Sequence, residues 1–238
     1  MQTIEVKTMN KVLLTGATGY LGSKLTAKLL QQGYRVLCPV LTDTHLAYLI
    51  PYVEQVEIFV IDYTTLNDTI MTFLPDIVIH TACRYDREGI SLSELTEANL
   101  AFPLKVLNAI GNLPYKALWI NANTALMSII NGYTLSKFQF AEWGRYCSKQ
   151  KKVDFLNILI EHFYGEGDSG SKFLPYLINK MKKNEPIDLT DGTQHRDFIY
   201  VDDVILTSEN ICQWLSYKCS IGFTFYKCIF INRNKIIK

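Results

Sequence analysis

Short apolar runs alternate with longer stretches of helical spacing along most of this chain. Val12–Thr15, Arg35–Val40, Val56–Ile61, Asp76–His80, Ala117–Asn121 and Phe155–Ile160 lack internal polar alternation, which predicts strands buried on both faces. Between them, Tyr20–Gln32 (ended by Gly33), Thr64–Phe73, Leu92–Ile110 (with Gly111 past its end) and Tyr133–Lys149 carry helical spacing. Strands separated by helices predict a parallel sheet covered on both sides. Right-handed crossovers then make it doubly wound, a Rossmann-type α/β fold.

Past Gly165 the texture changes. Gly165–Gly170 reads as a loop, Lys172–Lys183 as a helix stopped before Pro186, and Arg196–Val201 as a strand entering a helix at Asp202. Cys212–Lys238 shows neither helical period nor clean alternation and holds three of the six cysteines. The predicted organisation is a dinucleotide-binding domain over residues 1–165, a partial substrate-binding region over 166–211, and an atypical tail over 212–238. The tail, dense in Ile, Lys, Asn and Phe, reads as out-of-frame or truncated coding sequence, which leaves the substrate-binding part incomplete.

Composition narrows the function classes. The 238 residues are 48% hydrophobic, enough for a sizeable core. The formal net charge is +1 with no basic cluster, so neither nucleic acid nor an acidic membrane is an expected partner. No run of 18 apolar residues predicts a membrane span, and the polar start, Met1–Asn10, does not read as a secretory signal. The six cysteines form no C-x-x-C pair and no zinc spacing, so no metal is expected and the thiols read as reduced, in a cytoplasmic protein.

The most specific chemistry lies at the first strand–helix junction. Gly16, Gly19 and Gly22 recur at spacing three around Ala17, Thr18, Tyr20 and Leu21. Such a turn holds a dinucleotide pyrophosphate: one glycine makes the bend, one admits phosphate to backbone N–H groups, and one packs the helix on the sheet. A glycine-rich surface turn is the plainer alternative. Farther on, Tyr133 and Lys137 lie four apart at the start of a predicted helix, hence on one face. An ammonium beside a phenol lowers its pKa, which makes the tyrosine an acid–base for a sugar hydroxyl or carbonyl. A surface tyrosine with a solvated lysine is the alternative. The position of the pair, after the fifth strand and at the crevice end of the sheet, favours chemistry.

Taken in order, Gly16-x-x-Gly19-x-x-Gly22, Asp62, His80-Thr81-Ala82, Asn99, Tyr133-x-x-x-Lys137, Tyr164-Gly165 and Arg196-Asp197-Phe198-Ile199-Tyr200-Val201-Asp202-Asp203-Val204 resemble the extended short-chain dehydrogenase/reductases. This is the NAD-dependent epimerase/dehydratase family acting on nucleotide sugars, and the likeness covers residues 10 to 207. Glu161–Gly165, Lys172–Tyr176 and the Arg196 segment look closest to the CDP-abequose synthase-like 4-ketoreductases of O-antigen sugars.

The resemblance implies roles. NADP or NAD would be held by Gly16–Gly22, Asp62, Tyr63, Thr81, Ala82, Asn99 and Lys137, with Asn99 steadying the active-site helix or a water chain. Tyr133 and Lys137 would be catalytic, and His162, Lys172 and Arg196 would grip a nucleotide sugar. Asp62 is equally a helix cap, Asn99 equally a core amide and His162 equally structural. Arg196 equally pairs with Asp197 or Asp202. The second strand ends in Pro39-Val40-Leu41, with Asp43 late and no arginine following, so NAD and NADP both stand.

The chain departs from the pattern at Ala122, where a Ser or Thr hydroxyl is usual, with Thr124 the nearest substitute if the loop is shifted. Asn123-Thr124 replaces the Asp-Glu pair of the dehydratases, which argues against elimination of water. Leu159 stands where many relatives carry arginine. Reduction or epimerisation remains, with a non-catalytic dinucleotide-binding protein or a remnant as the alternative. A homodimer through the helices after strands four and five is a further expectation, with Met71, Phe138, Phe140 and Trp143 as surface or core.

Overall fold

The computed structural model describes residues 9–42, 45–170, 172–193, 196–206, 226–231 and 236–237. Along the chain come β1 (Lys11–Thr15), α1 (Tyr20–Gln31), β2 (Arg35–Val40), β3 (Glu57–Val60), α2 (Leu66–Phe73), β4 (Ile77–His80), α3 (Leu92–Thr96) and α4 (Phe102–Ile110). They are followed by β5 (Leu118–Thr124), α5 (Gly132–Lys149), β6 (Asp154–Ile160), β7 (His162–Tyr164), α6 (Phe173–Lys182), β8 (Phe198–Tyr200), β9 (Tyr226–Ile231) and β10 (Ile236–Ile237). Residues 201–206 are helical.

One sheet runs β10-β9-β6-β5-β4-β1-β2-β3, and β7 pairs with β8 in a separate ribbon. Every pair in the large sheet is parallel except β9 with β10. The chain starts at β1, moves outward through β2 and β3, then returns to the other side of β1 with β4. That reversal opens a crevice above the carboxyl ends of β1 and β4, where open α/β sheets bind ligands.

Side chains alternate across the strands. Val12, Leu14, Ile77, Ile79, Leu118 and Ile120 meet Leu21, Leu25 and Leu29 of α1 on one face. Leu13, Val78, Trp119 and Phe155 meet Ile70 of α2, Val106 and Ile110 of α4 and Phe140 of α5 on the other. Each of these side chains contributes roughly 1.5–3 kcal/mol by leaving water. Both faces are covered, which is why the strands read as continuous apolar runs.

The structure modifies several expectations. Leu92–Ile110 is not one regular helix: Glu97–Ala101 form a π-helical turn between α3 and α4. Pro103 supplies no N–H for the Asn99 carbonyl, and the turn widens there. β5 runs on through Ala122, Asn123 and Thr124, so these residues sit on a strand. Part of the tail, Tyr226–Ile231, extends the large sheet beside β6. Phe140 is core, whereas Trp143 and Met71 are at the surface. Asp43 lies outside the described residues. No described helix is long and apolar enough to cross a membrane.

Candidate active site

The turn after β1 is built for close backbone approach. Gly16 has φ +77°, and a Cβ there would lie 2.5 Å from Ala82 N and 2.7 Å from Thr81 Oγ1. A Cβ on Gly22 would lie 2.0 Å from Gly16 O. Thr81 Oγ1 donates to Thr15 O at 2.8 Å, which fixes the loop after β4 against the turn. Helix α1 is preceded by Gly19 at its N-cap, with no side-chain cap and no acidic residue in its first turn, whereas α3 and α5 carry full capping boxes. Its first N–H groups and positive dipole end are thus left toward the crevice, as an anion requires.

Two cavities meet above this turn. The larger, of about 880 Å³, is lined by the Gly16–Gly22 turn, Pro39–Leu41, Tyr63, Thr81–Tyr85, Ala122, Tyr133 and Lys137. The smaller, of about 360 Å³, lies between the end of β5, β7 and the start of α6. Tyr85, Arg87, Asn123, Tyr133, Phe163 and Lys172 line both and form the junction. The geometry fits an extended dinucleotide in the larger cavity with a second reactant in the smaller one.

The tyrosine–lysine pair is held by the caps of α5. Asn131 Oδ1 accepts from Thr134 N at 2.9 Å, and Asp86 Oδ2 accepts from Gly132 N at 2.8 Å. These bonds place Tyr133 in the first turn and Lys137 one turn deeper, where it is 2% exposed. Asn99, fully buried in the π-helical turn, accepts from Arg84 N at 2.7 Å. It donates to Arg84 O at 2.8 Å and to Ser136 Oγ at 3.1 Å. It thereby ties the loop after β4 to α5, and a π-helical turn aims its amide there.

Electrostatics at the pair differ from the sequence reading. Burial pushes the Tyr133 phenol well above the ordinary range, and neighbouring Cys83 and Tyr85 push it the same way. Burial also lowers the Lys137 ammonium, with the Cys83 thiol opposing. Lys137 is not among the groups that shift the phenol here; desolvation dominates both side chains. The Tyr85 ring lies 4.9 Å from the Tyr133 ring, centre to centre, and completes the apolar surround.

The remaining expected residues divide clearly. Gly16, Thr18, Gly19, Tyr20, Leu21, Gly22, Tyr63, Thr81, Ala82 and Lys137 line the large cavity, and Ala17 is buried beneath it. Asp62 does not line it: its carboxylate accepts from Thr64 N at 2.9 Å and Thr64 Oγ1 at 2.8 Å, which holds the turn before α2 and lowers its pKa. Asn99 lines neither cavity: it is enclosed, and its amide bonds Arg84 and Ser136 and so steadies α5. Thr124 lines the smaller cavity, and its Oγ1 accepts from Leu126 N at 3.1 Å, which leaves the hydroxyl proton to donate.

His162 and Lys172 also line the smaller cavity. Lys172 pairs with Asp168 at 3.0 Å and rests over the Phe163 ring at 4.1 Å. Arg196 is exposed and lines neither cavity. The cations at the junction are Arg87 and Lys172, and Arg87 went unread in the sequence. Its signal is position, in the loop after β4 at the crevice end of the sheet. Among the described residues no cluster of His, Cys, Asp and Glu could hold a metal ion.

Comparison with known proteins adds a second line of observation. A family model described as the NAD dependent epimerase/dehydratase family matches residues 12–208. A CDP-abequose synthase of Salmonella muenchen is 32% identical over 205 residues, spanning 82% of this chain and 67% of that protein. The UDP-glucuronic acid 4-epimerase of Bacillus cereus, solved with NAD, superposes with a TM-score of 0.76 at 20% identity, over 94% of this chain and 78% of that one. The UDP-glucose 4-epimerase of Thermotoga maritima, solved with UDP-glucose, gives 0.75 at 17%, over 94% and 77%. At such identities the two structures establish the fold alone.

Proposed function

Because the chain belongs to the NAD-dependent epimerase/dehydratase family, we propose that it is an NAD(P)H-dependent 4-ketoreductase of a nucleotide-activated hexose. The observation that carries this reading is the placement of half-buried Tyr133 at the junction of the two cavities, with Lys137 one helical turn deeper on the same helix. A protonated phenol is the form a carbonyl reduction needs.

In this reading the Gly16–Gly22 turn and the N-terminus of α1 would hold the pyrophosphate, and Tyr63, Thr81, Ala82 and Lys137, which line the same cavity, would hold the rest of the dinucleotide. A bound reduced nicotinamide supplies the hydride. Tyr133 gives its proton to the carbonyl oxygen as the carbon takes up hydride, and the phenolate regains a proton from solvent. The smaller cavity takes the hexose. Lys172, held by Asp168, and Arg87 supply positive charge for a diphosphate. The relative named CDP-abequose synthase makes a CDP-linked hexose the first substrate to try.

The test is oxidation of NADH and of NADPH in the presence of CDP- and dTDP-4-ketohexoses. Turnover with one of them, lost about 10²–10⁴-fold in Tyr133→Phe while cofactor binding by nicotinamide fluorescence stays within about threefold, is the expected result. Binding of cofactor without any turnover would instead identify a non-catalytic dinucleotide-binding protein.

A further inference from the structure

Asn123 has the features of a substrate contact. The residue is 3% exposed, yet it lines both cavities at their junction with Tyr133. Its Oδ1 accepts from Thr124 N at 2.8 Å, which sets the orientation of the amide. The Nδ2 that remains has no hydrogen-bond partner among the described residues. An unsatisfied amide of this kind costs about 1–3 kcal/mol in a folded protein. Alternation along β5 puts Asn121 and Asn123 on the face of Trp119, toward α5, which carries Tyr133 and Lys137. On the same strand Ala122 offers only a methyl group to the larger cavity, and Thr124 lines the smaller cavity but not the larger one.

We infer that the Asn123 side-chain amide donates a hydrogen bond to the sugar oxygen being reduced, and so does the work for which Ala122 has no hydroxyl. The inference rests on the ketoreductase reading. As the carbonyl carbon takes up hydride, its π pair moves to oxygen and the proton comes from Tyr133. Asn123 neither gains nor loses a proton; its donor lies where negative charge grows on the oxygen. A preorganised donor in a desolvated site holds the sugar oxygen in the bound state and more strongly in the transition state. The contact satisfies an amide that the protein otherwise leaves empty, so substrate and site each supply what the other lacks.

Two variants test this. Asn123→Asp keeps the volume and the oxygen that Thr124 N–H needs, but ionised it lacks the donor. Asn123→Ala removes both groups. With wild-type turnover established, Asn123→Asp should lower kcat about 10²–10³-fold at pH 8, with NADPH affinity unchanged. Activity should return as the pH falls and the carboxyl becomes a proton-bearing donor. Adding Ala122→Ser to Asn123→Ala should restore at least about tenfold by returning a donor to the strand. A purely structural role for Asn123 would produce neither the acid rescue nor the hydroxyl rescue.

If kcat of folded Asn123→Asp stays within about threefold of wild type, the inference is overturned and the ketoreductase reading stands. Calorimetric binding of a CDP-hexose to the protein–NADP+ complex covers the case of no turnover. Wild-type binding weakened about tenfold in Asn123→Asp supports the donor and removes only the reaction. Binding that the substitution leaves unchanged removes the donor.

Discussion

Thr15 Oγ1 and His80 Nδ1 lie 2.7 Å apart across the parallel pair β1–β4, out of reach of solvent. The same register continues across the sheet through Asn121 and Asn157, joined by Asn121 Nδ2 donating to Asn157 Oδ1 at 2.8 Å. A polar row thus crosses the sheet just beneath the crevice. The strand ends carry buried hydrogen bonds there in place of apolar packing. Burial, then the nearby Lys137 ammonium, hold the His80 pKa well below 6.5.

That shift has a pH signature. Below about pH 6.5 the unfolded chain binds a proton at His80 and the native protein does not, so stability falls as pH drops. The slope from this group approaches 1.4 kcal/mol per pH unit. His80→Gln should remove this part of the acid sensitivity in urea melts at pH 5 and 7. Equal slopes in variant and wild type would contradict the assignment.

Lys137 is a buried cation whose pKa is lowered by desolvation. Native Lys137 releases its proton at a lower pH than the unfolded chain, so stability rises with pH between the two values. Lys137→Met should therefore raise Tm at pH 7, by an amount equivalent to about 1–3 kcal/mol, while turnover falls sharply. A drop in Tm would show that the ammonium stabilises the fold.

Gly22→Ala places a methyl group 2.0 Å from Gly16 O, a backbone atom that cannot turn aside. The turn and α1 must separate, which spoils the phosphate cradle. We expect nicotinamide fluorescence to show at least about a hundredfold loss of affinity, with stability lowered by about 1–3 kcal/mol. Retained affinity would place the cofactor elsewhere.

Asn99→Leu leaves Arg84 N, Arg84 O and Ser136 Oγ without their partner. The expected loss is about 1–3 kcal/mol of stability, together with lower kcat, since α5 and the loop after β4 lose their tie. Cofactor affinity should change little. A selective loss of cofactor binding would make Asn99 a direct contact.

Much of this architecture was legible in the sequence because strands buried on both faces must be apolar throughout and helices must punctuate them. The element order to β6, the glycine turn and the Tyr133–Lys137 face came from local spacing alone. The π-helical turn was not legible as a break, because Pro103 sits in a run whose apolar spacing continues on both sides. β9 escaped notice because Tyr226–Ile231 has no clean alternation; its strand state depends on the backbone of β6.

Residue types and spacing along the chain were sufficient to determine the doubly wound order of strands and helices, the glycine turn after β1 and the shared helix face of Tyr133 and Lys137, since each is written in a local pattern of residue types. Only tertiary structure could decide which polar side chains face the junction. Asp62 is drawn into its own turn, Asn99 into a buried tie and Arg196 away from both cavities, while Asn123 is left with a donor unpaired. Hydrogen-bond satisfaction depends on groups from distant strands and helices, and linear order does not record which of them arrive.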